Sequence, residues 1–313
     1  MNAAQTTKKS IKPPVLKKGD LIGIIAPAGP ITNEVIARGT ALLQGFGLEV
    51  SYCEDIIETN NYLAGSDERR LKEFHKLWVD PEIKVIIAAR GGFGSSRIIE
   101  HLDYDLIARN PKILIGFSDL TIMLNAIFQK TGLITFHGPM LSTLIRDEAN
   151  GLEIFNQLSR LSLEDIKVRP LEILRDGMAD GVLIGGNFTC FGHLTGTEFM
   201  PEGQDAILFI EDINEPAYRV DRSLTHLKMI GLLDRFSGII LGQFLESNLQ
   251  PQSDYDLIWQ RVLELTSDNI PVWANFPVGH GKDNLLLPIG IKAQMDSSAG
   301  VLRFLESSCQ NGN

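Results

Sequence analysis

Cysteine is scarce in this chain of 313 residues: Cys53, Cys190 and Cys309 are odd in number, far apart and never in a Cys-x-x-Cys spacing. That excludes a disulfide framework and the usual thiolate zinc site, and the three read as free thiols. The six histidines form no His-Glu-x-x-His or comparable cluster, so no metal site is expected. Basic charge is also short, with 29 Lys and Arg against 39 Asp and Glu and no long Lys/Arg block. A formal net charge of −10 argues against nucleic acid or anionic lipid as the main partner and favours a small molecule. The opening segment from Met1 to Pro14 is polar, and no apolar stretch follows that could serve as a signal peptide or anchor. A cytoplasmic location, away from membranes, is the expectation.

What the chain does have is alternation. A turn at Lys18-Gly19-Asp20 leads to a strand over 21–26, a helix is expected over 33–46, and a strand over 48–52 completes a β-α-β unit. Ser66-Asp67-Glu68 caps a helix carrying Leu71, Phe74, Leu77 and Trp78, and residues 85–89 give a third strand. Ile113, Leu114 and Ile115 form a fourth, and a short fifth lies over 134–136. This order predicts an α/β fold, with a Rossmann-like parallel sheet in an N-terminal domain over 17–150, after a loose tail over 1–16. The rhythm is lost over 151–180, which reads as a linker. Residues 181–313 read as a smaller, β-rich α+β domain, with strands over 181–186, 206–210, 236–244 and 300–304.

Ser118 stands at the corner between the fourth strand and a helix marked by Leu120, Met123, Leu124 and Ile127 and stopped by Gly132. A serine on such an elbow can act as a nucleophile, with the next N–H helping to hold an oxyanion. Serine is also an ordinary helix cap, and the second glycine of Gly-x-Ser-x-Gly is missing here. The loop Arg90-Gly91-Gly92-Phe93-Gly94 follows the third strand, where ligands bind in open sheets. It is a poor dinucleotide fingerprint, because Arg97 takes the place of the third glycine, but a good bare-backbone surface. A noncatalytic protein binding sugars or nucleotides on Gly91 to Gly94 is one alternative. Glu211-Asp212 ends the strand over 206–210, placed to orient a histidine or to pair with Arg219 or Arg222. His280, between Gly279 and Gly281, is free to point into a cleft. His137 is a second candidate base, although a sheet-edge histidine before Gly138-Pro139 is more often structural. Ser118 as nucleophile, His280 as base and Glu211 as its orienting partner would complete a hydrolytic set.

Taken together, Arg90-Gly-Gly-Phe-Gly94, Asn110-Pro-Lys-Ile-Leu-Ile-Gly-Phe-Ser-Asp119, Thr131-Gly-Leu-Ile-Thr-Phe-His-Gly-Pro-Met140, Gly185-Gly-Asn187, Phe209-Ile-Glu-Asp212 and Gly279-His-Gly281 resemble the serine LD-carboxypeptidases. These are the muramoyltetrapeptide carboxypeptidases, related to the microcin C immunity peptidases. The resemblance covers nearly the whole chain from Lys17 to Phe304, and the family commonly has Tyr where this chain has Phe93 and Phe117. It implies a Ser118, Glu211, His280 triad, an oxyanion hole from the amides of Gly92 and Asp119, and no cofactor. Gly91, Phe93 and Arg90 are the candidate substrate-binding residues, and Arg90 or Lys282 are candidate cations for a terminal carboxylate by their proximity to these motifs. The implied substrate is a murein tetrapeptide or muropeptide, cut before its terminal D-Ala in peptidoglycan recycling by an enzyme that is often a homodimer. An immunity peptidase acting on a peptide-nucleotide toxin is the runner-up.

Overall fold

Short apolar runs framed by amphipathic helices build the first sheet of the computed structural model, which describes residues 10–168, 171–245 and 251–312, with 251–255 as backbone only. The elements are β1 (Leu21–Ile25), α1 (Asn33–Gly45), β2 (Glu49–Ser51), α2 (Asp67–Val79), β3 (Ile83–Ala88) and α3 (Tyr104–Arg109). Then follow β4 (Ile113–Gly116), α4 (Leu120–Thr131), β5 (Thr135–His137), α5 (Leu141–Leu144) and α6 (Glu148–Leu158). Every residue of β4 is buried, and so is all of β3 except the half-buried Lys84 near its start, as strands covered on both faces require.

The rest of the chain contributes β6 (Ile166–Lys167), β7 (Glu172–Arg175), β8 (Met178–Asn187), α7 (Phe188–Gly192), β9 (Ala206–Ile213), α8 (Ala217–Met229) and β10 (Phe236–Leu245). It ends with α9 (Pro251–Leu265), β11 (Val272–Ala274), β12 (Leu287–Ile289), β13 (Lys292–Asp296) and β14 (Val301–Phe304). Two sheets result. The first has six strands in the order β12-β5-β4-β3-β1-β2, and the second has eight in the order β6-β14-β13-β8-β9-β10-β11-β7. Strands β2, β1, β3, β4 and β5 are mutually parallel, as expected, but β12 pairs antiparallel with β5. His137 is therefore not at a sheet edge: it lies opposite Leu287 of β12 and is fully buried.

Residues 151–180 are more than a linker. They complete α6, supply both edge strands of the second sheet and begin β8. That sheet, expected in the smaller unit, is the wider of the two. Between the sheets lies α4, buried along nearly its whole length. Its Asn125 carboxamide donates to Gly185 O at 2.8 Å and accepts from Gly185 N–H at 3.3 Å. One turn earlier, Thr121 Oγ1 accepts from the Asn187 N–H at 2.9 Å. The helix leading away from Ser118 is thus locked to the carboxyl end of β8.

Candidate active site

Ser118 holds a backbone φ of +60°, the left-handed region that costs a side-chain-bearing residue about 1 kcal/mol or more. The surrounding contacts enforce it. Asp119, almost fully buried, turns its carboxylate to the Ser95 N–H at 2.8 Å, tying the elbow to the loop after β3, and burial pushes its carboxyl above the usual range. Gly91 packs against the serine so closely that a methyl group there would lie 3.0 Å from Ser118 Oγ. The same loop is fixed from behind. Gly29 N–H donates to Gly91 O at 3.0 Å, and the fully buried Arg70 guanidinium donates to the carbonyls of Pro27 and Gly94. The N–H groups of Gly92 and Asp119 donate to no other group among the described residues.

Glu211 and His280 meet at 2.7 Å, Oε2 to Nδ1, so the carboxylate accepts from an Nδ1–H and leaves Nε2 as the free ring nitrogen. Glu211 has no solvent exposure, whereas the His280 side chain is 15% exposed. Alternation along β9 separates the two acids: Glu211 turns to the histidine, and Asp212 to the start of α7. There Asp212 accepts from Asn187 Nδ2 at 2.9 Å and from the Thr189 N–H and hydroxyl at 2.9 and 2.8 Å. Neither acid pairs with Arg219 or Arg222, and Arg219 faces Glu215 at 3.6 Å instead. The ring of Phe117, the residue before Ser118, lies 4.8 Å from that of His280, centroid to centroid. The histidine carried by the second half of the chain is thus seated on the elbow carried by the first.

Profiles described as the LD-carboxypeptidase N-terminal and C-terminal domains match residues 22–138 and 180–295. The chain belongs to the LD-carboxypeptidase family. It is similar to a probable murein peptide carboxypeptidase of Bacillus subtilis, at 38% identity over 92% of each chain. Among solved structures it resembles an MccF-like protein from Bacillus anthracis, with TM-score 0.86, 28% identity, and 95% of this chain and 100% of that one covered. It also resembles a muramoyltetrapeptide carboxypeptidase from Oxalobacter formigenes, with TM-score 0.78, 30% identity, and coverage of 90% and 97%. It is a serine-type carboxypeptidase.

In this carboxypeptidase the remaining candidates are dispersed around the elbow. Arg90 is exposed and donates to Pro30 O at 3.3 Å. Phe93 is 44% exposed and stands edge-on to Tyr62 at 5.8 Å. Lys282 is exposed two residues beyond His280. His137 lies under the site, with its ring 5.8 Å from Phe117 and 5.2 Å from Phe209, and burial pushes its pKa down to about 4. The cysteines are free, and burial raises all three thiols, that of Cys309 to about 12. Cys53, Asp55 and Glu73 bring potential ligand atoms within 4.8 Å of one another. Arg69 already compensates that charge, 2.6 Å from Glu73 and 3.6 Å from Asp55, so the donor set is that of an ion-pair cluster. Asn284, in the loop after the histidine, and Gln243, inside β10, escape sequence reading because a lone Asn or Gln carries no spacing signal.

Proposed function

We propose that Ser118 is the nucleophile, His280 the general base and acid, and Glu211 the group that orients and stabilises the imidazolium. The supporting observation is the buried Glu211–His280 pair, at 2.7 Å, seated through Phe117 on the elbow that holds Ser118 at positive φ. Ser118 Oγ adds to the scissile carbonyl as its proton passes to His280 Nε2. The amides of Gly92 and Asp119 receive the developing oxyanion, each lowering the barrier by about 3 kcal/mol. His280 then protonates the departing amine, leaving an acyl-serine. A water, deprotonated by the same imidazole, hydrolyses the ester and frees the serine.

The substrate we propose is a murein tetrapeptide, cut between the L-centre of meso-diaminopimelate or lysine and the terminal D-Ala, in cytoplasmic peptidoglycan recycling. A terminal carboxylate needs a cation, and Arg90 and Lys282 are exposed cations near the motifs with no acidic partner among the described residues. Gly91 and Phe93 would wall the same side. Likeness to a microcin C7 self-immunity protein solved in complex with aspartyl sulfamoyl adenosine supports a second reading, a peptidase for a peptide-nucleotide conjugate. The test is incubation with a tetrapeptide ending in D-Ala, beside the Ser118→Ala variant, with free D-Ala followed by mass spectrometry. Release by the wild type and a loss on the order of a millionfold in the variant are expected. Release by both would remove Ser118 as nucleophile. Release by neither, with a peptidyl-nucleotide cut by the wild type, would establish the second reading.

A further inference from the structure

The two glycines beside His280 are each held by a side-chain amide. The Gly279 N–H donates to Asn284 Oδ1 at 3.0 Å, and the Gly281 N–H donates to Gln243 Oε1 at 2.7 Å. Asn284 is buried, and its Oδ1 also meets His137 Nε2 at 3.1 Å. The Gly279 N–H can only donate, so the atom it meets is the amide oxygen, and an oxygen without a proton requires that His137 carry its proton on Nε2. A β-carbon on Gly281 would lie 1.9 Å from Gln243 Oε1, so the approach of this amide depends on glycine.

We infer that Asn284, held by His137, and Gln243 form a two-sided clamp on the backbone of the loop, fixing the His280 ring between Glu211 and Ser118. This rests on the triad reading above, and Asn284, His137 and Gln243 are positioning residues: they act through His280 and touch no reacting atom. The clamp explains why β5, in the first sheet, carries a histidine at a fully buried position where an apolar residue would fill the space. A neutral imidazole supplies a donor to Asn284 without adding a charge near the Glu211–His280 pair. The titratable groups facing His280 are Glu211 from β9 and His137 from β5, with Lys282 and Asp283 following on its own loop.

The test compares Asn284→Ala, Asn284→Asp and Gln243→Ala with the wild type, reading kcat, KM and the pH profile of D-Ala release. Asn284→Ala leaves two donors without their acceptor, and is expected to lower kcat by about 10²-fold with little change in KM, as a misplaced base does. Its acidic limb moves to lower pH, because a loosened contact with Glu211 stabilises the imidazolium less. Asn284→Asp keeps an acceptor toward both donors and should recover about tenfold of the loss, with its added charge moving the acidic limb to higher pH. A wild-type kcat and acidic limb in folded Asn284→Ala, or equal activity in the Ala and Asp variants, would overturn the clamp. Should Asn284→Ala not fold, Gln243→Ala at its half-buried position carries the test: the same fall in kcat supports the clamp, and a wild-type kcat overturns it. Ser118→Ala run in parallel separates the two claims, since its turnover would sink the triad reading whatever Asn284 does.

Discussion

Gly279 and Glu211 approach so closely that a methyl group on the glycine would lie 2.8 Å from the Oε2 that holds His280. The glycine also has φ of +129°, which side-chain-bearing residues rarely adopt. The residue before the histidine is therefore small for two independent reasons, room for the carboxylate and backbone conformation.

Gly279→Ala should displace either the loop or the carboxylate. The expected result is a fall in kcat of about 10²-fold and a loss of about 1–3 kcal/mol of stability. Gly45→Ala, at the end of α1 with nothing within 4 Å of the added carbon, is the control. It should be neutral or stabilising by up to about 1 kcal/mol. Equal effects of the two substitutions in kinetics and thermal melting would refute the packing argument.

Glu211→Gln keeps an acceptor for the His280 Nδ1–H but removes the negative charge opposite the imidazolium. On the triad reading kcat should fall by about 10³- to 10⁴-fold, and the acidic limb should move to lower pH. Steady-state turnover of a tetrapeptide measures both, and near-normal turnover would exclude Glu211 from the site chemistry.

His137 titrates at about 4 in the fold because burial disfavours its charge. An ordinary histidine protonates near 6.5, so as pH falls the unfolded chain takes up the proton first. Its contribution is full above that value and is lost as pH falls toward 4, by about 3 kcal/mol in total. Glu73 works the other way, since burial raises it to about 7 and stability declines as pH rises from 4.5 toward that value. The two contributions overlap in the intact protein. The difference in denaturant stability between wild type and His137→Gln cancels Glu73, and should become less favourable to the wild type between pH 7 and pH 4. A pH-independent difference would mean that His137 does not titrate as its burial requires.

Asn125→Ala removes the carboxamide that satisfies both backbone groups of Gly185. Two buried groups left without partners should cost about 2–4 kcal/mol, read as a lower denaturation midpoint. A loss below 0.5 kcal/mol would indicate that the junction relaxes into other bonds.

Legibility from sequence followed the range of the interactions. The elbow was readable because each of its signals is local: three apolar residues of β4, the periodicity of α4, and Gly132, which ends the helix at φ of +81°. Glu211 was readable from the strong strand that carries it, although β9 runs on to Ile213, but not the division of labour with Asp212, which depends on where α7 begins. Strand β12 was not readable, since Leu287-Pro288-Ile289 is three residues long, contains proline, and pairs with a strand some 150 positions earlier. The edge strands β6 and β7 are short and partly exposed, so no hydrophobic alternation announces them. The same short strand is what takes His137 off the sheet edge, so the position of this histidine is no more legible than β12 itself.

The segment carrying His280 leaves β11 in the second sheet and arrives at β12 in the first. His280 is thus mounted on a bridge whose two piers stand in different sheets, and separating the piers would drag it from Glu211, from the elbow, or from both. On the triad reading, the alignment of His280 and the relative placement of the two sheets are therefore coupled, and neither can shift without the other.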